Sequence, residues 1–222
     1  MDHSAVPLLD AIRTLAFVGD LAMGQPTDHS TRAAWIAGQM ARDAGGGDEA
    51  CARAMAVSLL RWSGCTANAP EFAQLFGDDV SGRKALLATQ STESGFRIGT
   101  RKEGSAFLAL SRIHCEVSGD IAVQLGLDDH VQLALRHLFE SYDGSGAPSG
   151  LSGDEVPIEV FFASLAGDLE VFSRLYGEER AVGLIRERAG GLYPDDLANK
   201  VLARASQWLA ALDEGASFAA DC

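Results

Sequence analysis

The feature that most constrains the fold is a long apolar segment with helical character, residues 157–175, PIEVFFASLAGDLEVFSRL. Pro157 at its first position suits a helix start, because the missing N–H of proline has no helical partner there in any case. Asp168 lies inside the apolar run, next to small residues. A buried carboxylate needs a partner such as a cation, a metal ion or several N–H donors. The segment therefore predicts a buried helix with a polar site at Asp168.

Most of the remaining chain also favours helices. Ala and Leu are abundant, and runs of β-branched residues are scarce. No pair of strands with a hairpin turn stands out, and the Gly-containing stretch 92–105 is predicted to be flexible. The pattern predicts an all-α fold of roughly eight or nine helices. We expect a leading helix (1–19), a single helical domain (20–213) and a flexible tail (214–222).

The charge balance argues against nucleic acid as a partner. The chain has 18 Lys and Arg against 31 Asp and Glu, a net charge of −13, and would repel a phosphate backbone. Its four cysteines show no CxxC spacing, which suits a reducing compartment. The N-terminus lacks the basic start of a signal peptide, and no apolar run has the length of a membrane span. We expect no DNA binding, no membrane association and a cytoplasmic location.

Three residues of ligating type are candidates for a metal site: His29, His114 and Asp168. No His-x-x-x-His pair accompanies them, so hydrogen-bonded helix histidines and a structural ion pair or cap are the alternative interpretation. Cys65, in SGCTAN, could be a nucleophile, but the sequence shows no base near it, which favours a structural thiol. The residues alone leave both a metal site and a structural role open.

The stretch LFESYDGSGAPSGLSGDEVPIEVFFASLAGDLEVF resembles, without a gap, the last motif block of the HD-GYP branch of the HD phosphohydrolase superfamily. The matching loop positions are Glu140, Asp143, Gly144, Gly146, Pro148 and Gly150. Upstream, IHCEVSGDIAVQLGL resembles the family's His-Pro-Glu helix through His114 and Glu116, and DHSTRAAWIAGQMA resembles its first-histidine helix through His29. The resemblance implies an all-α HD-domain helical bundle with additional GYP-type C-terminal helices. It makes His29, His114, Glu116 and Asp168 remnants of a metal-ligand set.

Other positions depart from the family pattern. Arg61 and Trp62, in LLRWSGC, stand where the family has its His-Asp pair, and neither a guanidinium nor an indole can ligate a metal. Leu138 and Phe139 replace two histidines, and Ala147 replaces the tyrosine of Gly-Tyr-Pro. The resemblance therefore implies a metal centre that has lost most of its ligands.

The departures also predict what satisfies the buried carboxylate. Arginine is always cationic, and Arg61 falls where the metal ions of the family would lie. We therefore predict an ion pair between Arg61 and Asp168, formed in place of the metal.

The family hydrolyses cyclic di-GMP with two or three metal ions, usually iron or manganese, so the lost ligands bear on function. The resemblance implies a catalytically degenerate domain, not expected to be an enzyme, that acts as a sensory or protein-interaction module in bacterial signalling. Its expected partner is another protein or a second copy of itself, and its expected cofactor is none, or one weakly held Fe, Mn or Zn ion. Similar domains precede LuxR-type helix-turn-helix modules, which makes a fragment of a longer regulator one interpretation.

Two alternatives stay open at this point. One is binding of cyclic di-GMP or another nucleotide without hydrolysis, in which the stretch 97–102 and Arg136 are the obvious phosphate partners. The other is a residual metal-dependent phosphodiesterase that uses His29, His114 and Asp168.

Overall fold

The computed structural model describes residues 7–76 and 101–216, and within these ranges the chain is helical, with no strand beyond two isolated bridges. The α-helices are α1 (Leu8–Ala22), α2 (His29–Asp43), α3 (Asp48–Leu60), α4 (Ala69–Phe76), α5 (Arg101–Gln124), α6 (Asp129–Leu135), α7 (Ile158–Tyr176), α8 (Glu178–Arg188) and α9 (Asp195–Asp213). Two short 3-10 helices span Ser63–Asn68 and Gly153–Glu155. The predicted all-α fold is confirmed.

Helix α7 is the centre of the fold. Every residue from Glu159 to Phe172 is buried, as expected for a helix that is apolar on nearly all sides. Helices α2, α3 and α8 pack against it. The chain leaves α7 at Gly177, whose φ of 80° lies in the left-handed region that glycine adopts without strain. The polar side chains of α7 are therefore enclosed by its neighbours.

The 3-10 helix that follows α3 links two parts of the bundle. It contacts α1 on one side and α5 on the other, while α1 also packs on α3. Its Gly64 lies so close to α5 that an added Cβ would overlap the carbonyl oxygen of His114. This close approach brings side chains of α1, the 3-10 helix and α5 together.

Two helices begin or end at residues other than those expected from the sequence. Helix α5 begins at Arg101, so the predicted flexible stretch 92–105 is wrong for its last residues; its earlier residues, with 97–100 of the suggested phosphate-binding stretch, lie outside the described ranges. Helix α1 continues to Ala22, past the expected boundary at residue 19, and α9 ends at Asp213. The division into domain and tail stays a prediction. Among the described helices, none has the length and apolar character needed to cross a membrane.

Candidate functional site

His29, the first residue of α2, is buried and engaged by a carboxylate of α7. Its Nδ1 lies 2.5 Å from Oε2 of Glu170, which is itself fully buried. Glu170 also accepts a hydrogen bond from Nε of Arg174, one turn further along α7, and lies 3.3 Å from Nε of Arg32. We call Asp20, His29, Arg32, Glu170 and Arg174 the Glu170 cluster. It joins α1, α2 and α7.

The outer members of the Glu170 cluster are also paired. Asp20 is fully buried and accepts hydrogen bonds from the backbone N–H of Ser30, at 3.1 and 3.2 Å, and from its hydroxyl at 2.5 Å. Arg174 forms a second ion pair with Asp28, at 2.9 Å. Burial raises the pKa of Asp20, and the nearby charge of His29 opposes that shift only in part. His29, at the centre of the cluster, is thus hydrogen-bonded within the protein, to Glu170.

Glu170 makes the stability of the fold depend on pH. Burial raises the pKa of its carboxyl, but the hydrogen bond and charge of His29 and the charge of Arg174 outweigh burial, so the pKa lies below the ordinary value of a glutamate. A carboxylate with a depressed pKa stabilises the fold above its unfolded-state pKa, and this contribution is lost as the pH falls through the folded-state pKa. We expect the stability difference between wild type and Glu170→Gln to shrink as the pH falls below about 4.5.

Urea unfolding of both proteins between pH 7 and pH 3 measures this difference. The subtraction removes most of the opposing contribution of Asp20, because its largest cause, burial, is common to both proteins. A difference that stays flat, or that grows, as the pH falls below about 4.5 contradicts the inferred direction of the pKa shift.

Asp168 has two partners on the segment that follows α7. Its Oδ2 accepts a hydrogen bond from Nη1 of Arg188 at 2.9 Å and another from the hydroxyl of Tyr193. Tyr193 is completely buried; burial, reinforced by the charge of Asp168, raises the pKa of its hydroxyl well above the ordinary value. Asp168 is therefore a buried carboxylate with a structural ion pair, the alternative interpretation of its sequence context.

The predicted ion pair between Arg61 and Asp168 is wrong. Nη1 of Arg61 donates instead to the carbonyl oxygen of Ala163, at 3.0 Å, and lies against Gly167, so Asp168 acts on the guanidinium through its charge without a direct contact. The Arg61 guanidinium carbon lies 4.6 Å from the centre of the Trp62 ring, a cation–π contact. Its Nε is buried without a hydrogen-bond partner in the described part of the chain. Arg61 is thus a buried cation whose hydrogen-bonding capacity is incompletely used.

His114, on α5, is buried between the 3-10 helix and an aromatic wall. Its Nε2 lies 2.7 Å from the carbonyl oxygen of Arg61, and its Nδ1 lies 3.7 Å from Sγ of Cys65. The rings of Trp62 and Phe139 lie 6.2 and 5.0 Å from the imidazole, centre to centre. The expectation that Cys65 has no base near it is therefore wrong, because α5 supplies one from 49 residues further along the chain.

Glu116 lies apart from the other candidate ligands. Its side chain is exposed and lines a surface cleft of about 230 Å³ together with Arg136 and His137. Arg136, suggested as a phosphate partner, donates to Asp120 at 2.7 Å and to the backbone carbonyl of Glu116 at 3.4 Å. The structure does not bring Glu116 together with His29, His114 and Asp168.

The GYP-type loop is organised by Glu140. This buried carboxylate accepts hydrogen bonds from three successive backbone N–H groups, those of Ser149 at 2.7 Å, Gly150 at 3.0 Å and Leu151 at 3.1 Å. Gly146 passes so close to the backbone of Glu140 that an added Cβ would overlap it. The loop is thus wrapped tightly around one carboxylate.

The other matching loop positions shape its outer turns. Asp143 accepts from the N–H and hydroxyl of Ser145, at 2.9 and 2.6 Å, and its own N–H donates to Gly191. Gly144 and Gly150 have positive φ, and the Ala147–Pro148 peptide is cis. Through the hydrogen bond to Gly191, the loop contacts the segment that contains Tyr193, whose hydroxyl donates to Asp168.

The surviving ligand positions do not fit the metal centre of the resembled family. Leu138 and Ala147 are buried apolar residues, and Phe139 packs against His114. No group of three His, Cys, Asp or Glu side chains that could hold a metal ion occurs in the part of the chain that the structure describes. The donor set in these ranges lacks the bridging carboxylate that two metal ions would need, so we derive no metal-dependent step.

Known proteins resemble this chain in sequence and in fold. The chain is 23 % identical over 221 residues to the 3′3′-cGAMP-specific phosphodiesterase 3 of Vibrio cholerae serotype O1, a match that covers 90 % of this chain and 48 % of that protein. The crystal structure of a cyclic GMP-AMP specific phosphodiesterase of V. cholerae matches with a TM-score of 0.71 and 20 % identity, over 92 % of this chain and 50 % of that chain. The two chains share a fold. This chain spans about half the length of each relative, and no protein-family model matches it.

Sequence reasoning missed three residues that decide the chemistry of the site: Glu170, Arg188 and Tyr193. Glu170 carried a usable signal, because it lies two residues after Asp168 inside the same apolar run. Arg188 and Tyr193 carried none, since their contacts with Asp168 depend on how the chain turns back between α8 and α9.

Proposed function

We propose that this chain is an HD-GYP-like module of bacterial signalling that binds a cyclic dinucleotide without hydrolysing it. Support comes from the V. cholerae relatives, whose names specify phosphodiesterases of cyclic GMP-AMP, together with the loop around Glu140. The proposal concerns the half of those proteins that this chain spans.

The observation that carries this proposal is the state of Arg61. The residue is only 8 % exposed, and the buried guanidinium leaves its Nε without a partner among the described residues. Unpaired buried polar groups are rare in native proteins and call for an explanation such as a ligand. A phosphodiester oxygen is a suitable one, because guanidinium binds phosphate through directed, charge-assisted hydrogen bonds.

The partners of the other ligand positions support binding over hydrolysis. His29 contacts Glu170, His114 contacts the Arg61 carbonyl and Cys65, and Asp168 contacts Arg188 and Tyr193. Each contact would have to break before these side chains could ligate a metal. Arg61 then supplies, as a fixed positive charge, what the cations supply in the resembled family.

Regulation through a protein partner or a homodimer is the output we propose for this module. Phe17, Val18 and Leu21 share one face of α1 and are 42–51 % exposed. Exposed apolar side chains grouped on one helix face are typical of contact surfaces.

Calorimetry with 3′3′-cGAMP and with cyclic di-GMP tests the binding proposal. We expect wild type to bind one of them equally well with EDTA and with Mn²⁺. Arg61→Met, which keeps the length of the side chain, is expected to weaken binding by roughly 10- to 150-fold, the value of one charged hydrogen bond. Arg204→Ala is the matched control, because Arg204 is exposed and pairs with Asp43 on the surface.

Three results would count against the proposal. Binding that is equal in wild type and in a folded Arg61→Met protein would remove Arg61 from the site. The absence of heat with either nucleotide at high concentration would leave only protein-interaction functions. Nucleotide cleavage that depends on Mn²⁺ or Fe²⁺, measured by chromatography of the products, would establish the residual phosphodiesterase. This is the activity that the relatives' names support.

A further inference from the structure

Two sulfur atoms and an imidazole nitrogen converge in a small buried cluster apart from the main core. Sγ of Cys65 lies 3.4 Å from Sδ of Met23 and 3.7 Å from Nδ1 of His114. All three residues are at most 3 % exposed. Trp62, Phe139 and Ala22 pack around Met23 and Cys65, which makes the surroundings apolar. Sγ of Cys65 is thus close to both of the other atoms.

The hydrogen bond of His114 orients its ring for ligation. A carbonyl oxygen can only accept, so the contact with the Arg61 carbonyl places the proton on Nε2. The Nδ1 lone pair is then directed towards Cys65. Metal-binding histidines are usually held in this way, with the second ring nitrogen donating to a carbonyl or carboxylate.

We propose that Met23, Cys65 and His114 form a binding site for a single Cu(I) ion. At bond lengths of about 2.3 Å to sulfur and about 2.0 Å to nitrogen, two ligands of a trigonal ion lie about 3.7 Å apart when one is sulfur and the other nitrogen. The Cys65–His114 separation has this value. The Met23–Cys65 separation is shorter than two such bonds to sulfur require, and the unbranched methionine side chain can adjust by rotation.

The ligand types select copper over other metals. Thiolate and thioether are soft ligands that favour Cu(I), whereas protein zinc sites are built from Cys, His and carboxylate ligands without a thioether. Binding releases the thiol proton of Cys65 to solvent, and the Cu(I)–thiolate unit that forms carries no net charge. Zn²⁺ would leave a net positive charge close to the buried Arg61 guanidinium, which interacts electrostatically with Cys65.

Local packing holds the three ligands in place. Met23 immediately follows α1, and Cys65 lies on the 3-10 helix that contacts α1 and α5. Because Gly64 lies directly against the backbone of His114, the position of Cys65 relative to α5 is set by the backbone. This inference does not depend on the proposed nucleotide binding, and copper affinity is measured without nucleotide.

Anaerobic titration of the purified chain with Cu(I), in competition with a coloured Cu(I) chelator, tests the site. We expect one equivalent of tightly bound Cu(I). Cys65→Ser is expected to weaken binding by at least about 100-fold, since loss of a mere hydrogen bond to a ligand costs up to that factor. Met23→Leu, which preserves side-chain volume, is expected to weaken binding to Cu(I) and to leave any binding of Zn²⁺ unchanged.

Cys51→Ser is the matched control, because Cys51 is a buried cysteine in the main core. Its Cu(I) affinity should equal that of wild type. Equal affinities in the Cys65 and Cys51 variants, or the absence of stoichiometric Cu(I) in wild type, would overturn the proposal. Zn²⁺ binding tighter than that of Cu(I) in competition would overturn the choice of metal, and Met23→Leu answers the question if Cys65→Ser does not fold.

Discussion

Replacing Glu170 by alanine is expected to lower the free energy of unfolding by about 3–5 kcal/mol. Glu170 is fully buried, and its loss leaves His29 and the guanidinium groups of Arg32 and Arg174 without the carboxylate between them. Removing one member of a buried charged network is costly, because His29 stays buried without its partner, and Arg32 and Arg174 keep only the more exposed Asp213 and Asp28. Urea unfolding at pH 7 measures the change.

Two variants make this result specific. Glu170→Gln keeps the shape and a hydrogen-bond acceptor for His29 but removes the charge, and it should be destabilised by less than the alanine variant. Glu179→Ala removes an exposed carboxylate of α8 and should change stability by less than about 0.5 kcal/mol. If Glu170→Ala is no less stable than Glu179→Ala, the Glu170 cluster does not hold α1, α2 and α7 together.

Replacing Glu140 by alanine is expected to cost about 2–4 kcal/mol and to loosen the GYP-type loop. Its carboxylate accepts from the N–H groups of Ser149, Gly150 and Leu151, and no other described side chain accepts from these three. The loss should be largest for the loop itself, because Ser149 and Gly150 are exposed residues whose freed N–H groups would bond to water instead. Hydrogen exchange of these three amides, read alongside urea unfolding, separates local from global effects.

Asp154→Ala is the control for Glu140→Ala, since Asp154 is an exposed carboxylate of the same loop region. We expect its amide protection and stability to match those of wild type within about 0.5 kcal/mol. Unchanged exchange of the three amides in Glu140→Ala would show that the turns of the loop, and not the carboxylate, set its shape.

Much of the fold is visible in local sequence patterns. The apolar run 157–175 predicts the central helix, and the structure places α7 at Ile158–Tyr176 with Pro157 immediately before it. Gly144 and Gly150 are loop positions that match the resembled family, and both have positive φ in the structure. These features depend on the conformational preferences of neighbouring residues, which act over a few positions.

The pairing of buried charges could not be predicted in the same way. Sequence reasoning assigned Arg61 to Asp168, whereas the structure pairs Asp168 with Arg188 and Tyr193, 20 and 25 residues further on. Arg61 directly follows α3 and Arg188 ends α8, and both helices contact α7, so only the positions of the helices decide which guanidinium comes within hydrogen-bonding distance of Asp168. The contact between His29 and Glu170 spans 141 residues and has no local signature.

The sequence by itself determined that the chain is all-α, that α7 is buried, and that Arg61 and Trp62 stand where the resembled family has metal ligands. Only the tertiary structure decided what the surviving side chains do: His29 contacts Glu170, Asp168 contacts Arg188 and Tyr193, and His114 contacts Cys65. The reason is physical. Helix formation follows from local propensity and periodicity, but the partner of a buried polar group is set by packing between helices that are distant in the chain.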